Sequence, residues 1–126
     1  MDPDVVLGSI STPNGKVKVP IRTSKPLLRI GRNKESDIKA NDQRCSVDHC
    51  AIHITRQPDK WLIEVEDLSS NGTFINDVKL GRGNRAELQN GMVIGLLPAS
   101  KATATRVTQF KVQIMSVQAG IKRQSV

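Results

Sequence analysis

Residues 67–76 read Asp-Leu-Ser-Ser-Asn-Gly-Thr-Phe-Ile-Asn and follow an alternating apolar run, Trp61, Ile63 and Val65. The pair Asn71-Gly72 between apolar runs predicts a tight hairpin, because both residue types tolerate the positive φ of a type I′ turn. The turn alone does not require the hydroxyl side chains that precede it. A loop so rich in donors can also receive an anion or a peptide backbone. These residues alone leave both interpretations open.

The composition is that of a single domain with one core. The 126 residues are 37% hydrophobic and 25% charged, and the net charge is +7. This excess of positive charge favours an anionic partner, either nucleic acid, a phosphorylated protein or an acidic membrane. Aromatic residues are limited to Trp61, Phe74 and Phe110. Such scarcity argues against a stacking platform for single-stranded nucleic acid.

The cysteines and histidines do not form a recognised ligand pattern. Cys45 and Cys50 are five residues apart, with His49 and His53 beside them, which is not the spacing of a zinc finger. We therefore predict no metal and no cofactor. The sequence shows no secretion signal and no apolar run as long as a membrane span, so we expect reduced thiols, an intracellular location and no membrane partner.

Short alternating runs separated by turn signals predict an all-β sandwich or barrel of about ten strands. The clearest run extends from His49 to Thr55, and a second Asn-Gly pair, at 90–91, predicts another hairpin. Three predicted loops carry polar side chains that suit a phosphate. They contain Gly31-Arg32, Ser46 to His49, and Ser69 to Thr73. If they meet, a guanidinium can make a two-pronged contact while hydroxyls and backbone N–H groups bind the other oxygens. No triad or nucleophile elbow is present, so an enzyme ranks last.

In order and spacing, these three blocks resemble the forkhead-associated (FHA) domain. The match covers about Leu27 to Val117, and its Ser-x-Asn-Gly-Thr element is specific. The resemblance implies an FHA-type β-sandwich of about eleven strands in two twisted, mostly antiparallel sheets. It also implies a non-enzymatic module that binds phosphothreonine peptides, as FHA domains do through arginine.

The resemblance assigns roles to individual residues. Arg32, Ser46 and Ser70 would contact the phosphate, and Asn71 would bind the peptide backbone. Arg44 would favour an acidic residue after the phosphothreonine. Structural support would come from four further residues: Gly31, His49, Gly72 and Thr73.

One departure from the family pattern bears on affinity. Val47 stands where the family commonly has Arg or Asn after the phosphate-binding serine. Because of Val47, a phosphate-independent interaction domain of the same fold remains an alternative function. The net charge leaves nucleic-acid binding as a less favoured alternative.

The predicted organisation is one domain, residues 1–118, with its motif core at 27–117. A basic tail, residues 119–126, is expected to be disordered. The resemblance points to a part of a larger signalling protein in the nucleus or cytoplasm, with the nucleus favoured. A separate catalytic domain can exist in such a protein.

Overall fold

Eleven strands form two β-sheets in the computed structural model, which describes residues 3–103 and 105–115. The strands are β1 Val6–Ser11, β2 Lys18–Arg22, β3 Leu27–Gly31, β4 Ile38–Lys39, β5 Cys50–Arg56, β6 Trp61–Asp67, β7 Phe74–Ile75, β8 Val78–Lys79, β9 Arg85–Glu87, β10 Val93–Gly95 and β11 Gln109–Ile114. A single turn of 3-10 helix covers Ala99–Lys101. This confirms the predicted all-β sandwich of about eleven strands.

The sheets have the orders β2-β1-β11-β10-β7-β8 and β4-β3-β5-β6-β9. The β3–β4 pairing is parallel, whereas the other strand pairs in the described residues for which a register is given are antiparallel. Buried side chains from both sheets form one core that includes Ile10, Ile52, Val65, Ile94 and Phe110. The alternation in β5 directs one side of the strand toward this core, since Ile52 and Ile54 are buried while Thr55 is exposed.

The predicted hairpin at Asn71-Gly72 is wrong. Strand β6, before it, belongs to the five-stranded sheet, and β7, after it, belongs to the six-stranded sheet. Residues 68–73 therefore form a loop that crosses from one sheet to the other. In this loop Gly72 has a positive φ of 122°, but Asn71 does not have the positive φ that a type I′ turn needs. The same error applies to Asn90-Gly91, which also links strands of different sheets, β9 and β10.

The tight turn of this region lies a few residues later. Strands β7 and β8 pair directly, with Ile75 opposite Val78. Asn76 and Asp77 between them have φ values of 49° and 65°, the conformation of a type I′ turn. Both residue types enter the left-handed region more readily than most, since their short polar side chains can bond locally.

The described residues contain no helix long and apolar enough to cross a membrane. The basic tail predicted for residues 119–126 lies outside the described residues, as do the last positions of the predicted domain.

Gly31 ends β3 where another chain segment passes against it. A methyl group on its Cα would overlap the carbonyl oxygen of Val47 and lie 3.0 Å from the backbone nitrogen of His49. The backbone of Gly31 is ordinary extended strand, so the requirement for glycine comes from this close approach. Hydrogen bonds from Arg32 N to Ser46 O (3.2 Å) and from Asn33 N to Val47 O (3.0 Å) hold the two segments together.

We expect Gly31→Ala to lower the free energy of unfolding by about 2–4 kcal/mol, because backbone atoms rather than a flexible side chain must move. Chemical denaturation measures this change. Gly15→Ala is the matched control, since its φ of 74° costs an alanine about 1–2 kcal/mol and no atom lies within 4 Å of the added methyl. Equal losses in the two variants would contradict the close approach.

Candidate functional site

Strand register brings the three polar loops to one end of the sandwich. Ile30 pairs with Cys50, and Cys50 pairs with Asp67. The end of β3, the start of β5 and the end of β6 therefore lie in one row, because β5 runs antiparallel to both neighbours. The loops at this end contain Arg32, Ser46 and Ser70. We call this end of the sandwich the loop end.

Direct hydrogen bonds join the loops. The backbone N–H of Ser70 donates to Ser46 Oγ at 3.0 Å. Arg32 Nε donates to the carbonyl oxygen of Cys45 at 2.6 Å, which fixes the guanidinium beside the Ser46 segment. Its terminal Nη1 and Nη2 make no hydrogen bond or ion pair within residues 3–103 and 105–115. An exposed guanidinium thus lies near a serine hydroxyl that already accepts one bond and can still donate.

The loop of residues 68–73 is organised by the carboxylate of Asp67, which is fully buried. Asp67 Oδ1 accepts from Ser69 N (2.9 Å), Ser69 Oγ (2.6 Å) and Thr73 Oγ1 (2.8 Å), and Oδ2 accepts from Thr73 N (3.0 Å). Ser69 Oγ in turn accepts from Gly72 N at 2.7 Å. Burial by itself would raise the pKa of Asp67, but the bonds from Ser69 and Thr73 outweigh it and hold this pKa below 3.8.

His49 connects two of the loops through both ring nitrogens. Nδ1 accepts from the backbone N–H of Ser46 at 3.0 Å, and Nε2 lies 2.8 Å from the carbonyl oxygen of Gly72. An N–H can only donate and a carbonyl can only accept, so these partners assign the neutral tautomer with its proton on Nε2. Burial lowers the pKa of His49, against the opposing effects of the Gly72 bond and of Asp67.

Asn71 and Ser70 project from the loop that Asp67 and His49 hold. Both residues are exposed, and neither side chain makes a hydrogen bond within the described part of the chain. The backbone N–H of Ser70 is already occupied by Ser46 Oγ, so its hydroxyl is the group left for a ligand. Gly72 and Thr73, in contrast, are buried.

Arg44, the predicted specificity residue, is already paired with a carboxylate of the protein itself. Its Nε and Nη2 contact the two oxygens of Asp42 at 3.0 and 2.7 Å, and the Asp42 side chain is fully buried. The Arg44 side chain is the main cause that lowers the pKa of Asp42 to about 2. A further bond from Arg44 Nη2 to Lys101 O (3.3 Å) ties the loop of residues 40–49 to the loop after β10. Much of the charge on Arg44 is therefore compensated internally.

Sequence reasoning missed Asp67 and Asp42, the two buried carboxylates of the loop end. For Asp67 a signal existed, since an aspartate that is followed by serine two residues later and threonine six residues later can bond to both. For Asp42 the pairing with Arg44 depends on burial, which local sequence does not show.

The thiols and histidines give no catalytic or metal arrangement among the described residues. Cys45 and Cys50 are free and buried, and burial raises the pKa of both, that of Cys45 to about 11. No group of three or more His, Cys, Asp or Glu side chains in residues 3–103 and 105–115 could hold a metal ion.

We expect Asp67→Asn to lower the free energy of unfolding by about 2–4 kcal/mol. The amide nitrogen of asparagine cannot accept the hydrogen bonds that a carboxylate oxygen of Asp67 accepts, so buried donors would lose their partner. Denaturant titration measures the loss. The control is Asp59→Asn in an exposed turn, which should change stability by less than about 0.5 kcal/mol. An Asp67→Asn protein as stable as the control would show that the carboxylate does not organise the loop.

We also expect acid to destabilise the protein through His49. Its pKa is lowered in the folded state from an ordinary value of 6.5, so below about pH 6.5 the unfolded chain binds a proton that the folded chain excludes. The free energy of unfolding should therefore fall with decreasing pH by up to about 1.4 kcal/mol per pH unit, until the folded pKa is reached. Above pH 6.5 His49 adds no slope. The carboxyl groups with lowered pKa values, Asp4, Asp37, Asp42 and Asp67, add their own slope below about pH 5.

Stability measured between about pH 5 and pH 7.5 tests this slope. The other histidine, His53, bonds to Glu66 on the outer face of the five-stranded sheet, and His53→Gln serves as the control. The slope should survive in that variant, and its disappearance there would contradict the assignment to His49.

Comparison with known proteins places this geometry in a family. The FHA domain model matches residues 28–96, which is more than half of the chain. The chain is 34% identical over 70 residues to "Transcription factor 19-like protein" of Mus musculus, a match that covers 56% of this chain and 27% of the mouse protein. It is 36% identical over 74 residues to "Probable serine/threonine-protein kinase fhkE" of Dictyostelium discoideum, which covers 57% of this chain and 10% of that protein.

A solved structure shares the fold. The crystal structure of the MEK1 FHA domain in complex with a HOP1 phosphothreonine peptide has a TM-score of 0.69 and 23% identity. The alignment covers 87% of this chain and 98% of the MEK1 chain. The match of the family model, together with this fold, shows that the chain belongs to the FHA domain family.

Proposed function

We propose that the loop end binds peptides that contain phosphothreonine, and that the chain mediates phosphorylation-dependent contacts between proteins without being an enzyme. The observation that carries this proposal is the state of Arg32. Its terminal nitrogens have no partner in the described residues, although its Nε is fixed by the Cys45 carbonyl. A guanidinium held beside the Ser46 segment, whose Oγ is bonded to the backbone of Ser70, suits a phosphate, which carries nearly two negative charges and three strong acceptors.

Asn71 supplies a different kind of contact. Its side-chain amide both donates and accepts, so it can pair with the N–H and C=O of an extended peptide. The loop beneath it is held by Asp67 and His49, which reduces the ordering cost of binding. We therefore assign Asn71 to the peptide backbone, and Arg32, Ser46 and Ser70 to the phosphate. Gly31, His49, Gly72 and Thr73 support them.

The comparisons support this class of function. The MEK1 domain of similar fold is described in complex with a phosphothreonine peptide. The chain spans only 27% and 10% of the two relatives described above, so we propose that residues 1–118 act as one module of a larger protein. The relative named as a transcription factor favours the nucleus, and the relative named as a kinase is consistent with a catalytic domain elsewhere in such a protein.

Arg44 is proposed as a secondary determinant. With Nε and Nη2 committed to Asp42, its Nη1 is the group left to meet an acidic residue after the phosphothreonine. This arrangement predicts a modest preference, since the pair is largely neutral.

The main alternative is an interaction domain that does not need phosphate. Val47, which follows Ser46, has 45% of its surface exposed and offers no polar contact. The missing hydrogen bond to a charged group would be worth about 1.5–3 kcal/mol. Binding that is equal for phosphorylated and unphosphorylated peptides would favour this alternative, and a steep salt dependence on DNA or RNA would favour a nucleic-acid binder.

We expect Arg32→Ala to reduce the affinity for a phosphothreonine peptide about 100-fold, or about 3 kcal/mol, because two charge-assisted bonds are lost. The thermal transition should change little, since the Arg32 side chain contributes a single, partly buried hydrogen bond to the fold. Isothermal titration calorimetry on a degenerate phosphothreonine peptide library measures the affinity.

The control is Arg22→Ala, which removes the same charge from the other end of the sandwich. Arg22 pairs with Val6 at the start of β1 and makes an exposed ion pair with Asp4. Its loss should leave peptide affinity unchanged. Equal effects of the two variants would mean that general positive charge, not the Arg32 site, attracts the peptide.

A further inference from the structure

We propose that Lys79 is a second ligand-selecting cation of the loop end, and that it favours peptides with an acidic side chain a few residues from the phosphothreonine. This inference rests on the proposed function. It concerns a residue of the strand β8, outside the three loops.

The Lys79 side chain crosses the loop at Gly72. A methyl group built on Gly72 would lie 2.9 Å from Lys79 Cε and 3.4 Å from Lys79 Cδ. The same methyl would lie 3.3 Å from Phe74 Cε1. Gly72 has a φ of 122°, and its missing side chain leaves the space that the methylenes of Lys79 fill. The lysine stem is thereby placed against the loop next to Asn71.

The charge at the end of this stem has no partner among the residues that the structure describes. Nζ is one bond beyond Cε, and it makes no ion pair or hydrogen bond within the described residues. Two other lysines are paired in the described residues, Lys25 with Asp37 at 2.9 Å and Lys60 with Glu87 at 3.3 Å. The ammonium of Lys79 is therefore available to an anionic group of a ligand.

The loop has two flanks, and each has its own cation. On one flank Ser70 is bonded to Ser46, beside Arg32, and on the other flank Gly72 is covered by Lys79. Asn71 lies between them. A peptide whose phosphate sits at Arg32 and whose backbone meets Asn71 continues past Lys79. An extended peptide advances about 3.3 Å per residue, so a side chain a few residues away can reach the ammonium.

The effect should be that of an exposed ion pair. We expect about a two- to fivefold tighter binding of a peptide with a correctly placed glutamate than of its alanine counterpart. Because the pair is exposed, this preference should shrink at 1 M salt, where the screening length is about 3 Å.

The test uses phosphothreonine peptides with alanine flanks, in which one glutamate is moved through the four positions on each side. Fluorescence anisotropy measures each affinity for the unmodified chain, Lys79→Ala, Lys79→Glu and Lys18→Ala. Lys18 is the matched control, since it is an exposed lysine on β2, and β2 and β8 are the opposite edge strands of the same sheet. Unphosphorylated peptides complete the set.

We expect one glutamate position at which the preference disappears in Lys79→Ala, reverses in Lys79→Glu and persists in Lys18→Ala. If the chain binds the phosphopeptides but Lys79→Ala matches Lys18→Ala at every position, the inference about Lys79 is wrong and the proposed function stands. If the unmodified chain does not distinguish phosphorylated from unphosphorylated peptides, the proposed function fails and the inference fails with it.

Discussion

The loop end depends on one buried carboxylate. Asp67 is fully buried, no cation pairs with it among the described residues, and four hydrogen bonds from Ser69 and Thr73 satisfy it. A buried charge is costly unless it is well bonded, so its donors must stay in place. These donors are backbone and hydroxyl groups of the loop itself. The charge therefore fixes the loop in one conformation and leaves Ser70 and Asn71 pointing outward.

The other groups of the loop end can be understood from this constraint. His49, neutral and buried, bonds the fixed loop through Gly72 to the Ser46 segment, and Gly31 lets that segment pass directly over the end of β3. Arg32 is then held against the same segment through Cys45. The polar groups of Asp67 and His49 are bonded internally, whereas the terminal nitrogens of Arg32 have no partner among the described residues. A preformed site of this kind loses little entropy on binding and leaves a cation unpaired when the phosphate is absent.

The sequence predicted the fold class and the convergence of the loops, because alternation and turn residues are local and the three blocks resemble a known family. It did not predict which strands pair. Asn71-Gly72 has the composition of a hairpin, yet the chain changes sheets there, and the type I′ turn forms at Asn76-Asp77 instead. Strand partners are set by the burial of apolar side chains on the inner faces of the two sheets. A local turn preference cannot override this requirement. For the same reason the pairing of Arg44 with Asp42 became visible only in three dimensions, whereas the role of Asp67 is signalled by its spacing from Ser69 and Thr73.

The most direct test of this account is an NMR titration of ¹⁵N-labelled protein with an alanine-flanked phosphothreonine peptide. The account predicts that the Nε–H of Arg32, the backbone N–H of Ser70 and the side-chain amide of Asn71 shift together with one dissociation constant. Signals of Asp67 and Thr73 should move little, because their loop is already formed. Shifts confined to another face of the sandwich, or a loop that becomes ordered only after the peptide is added, would contradict a preformed phosphate site at the loop end.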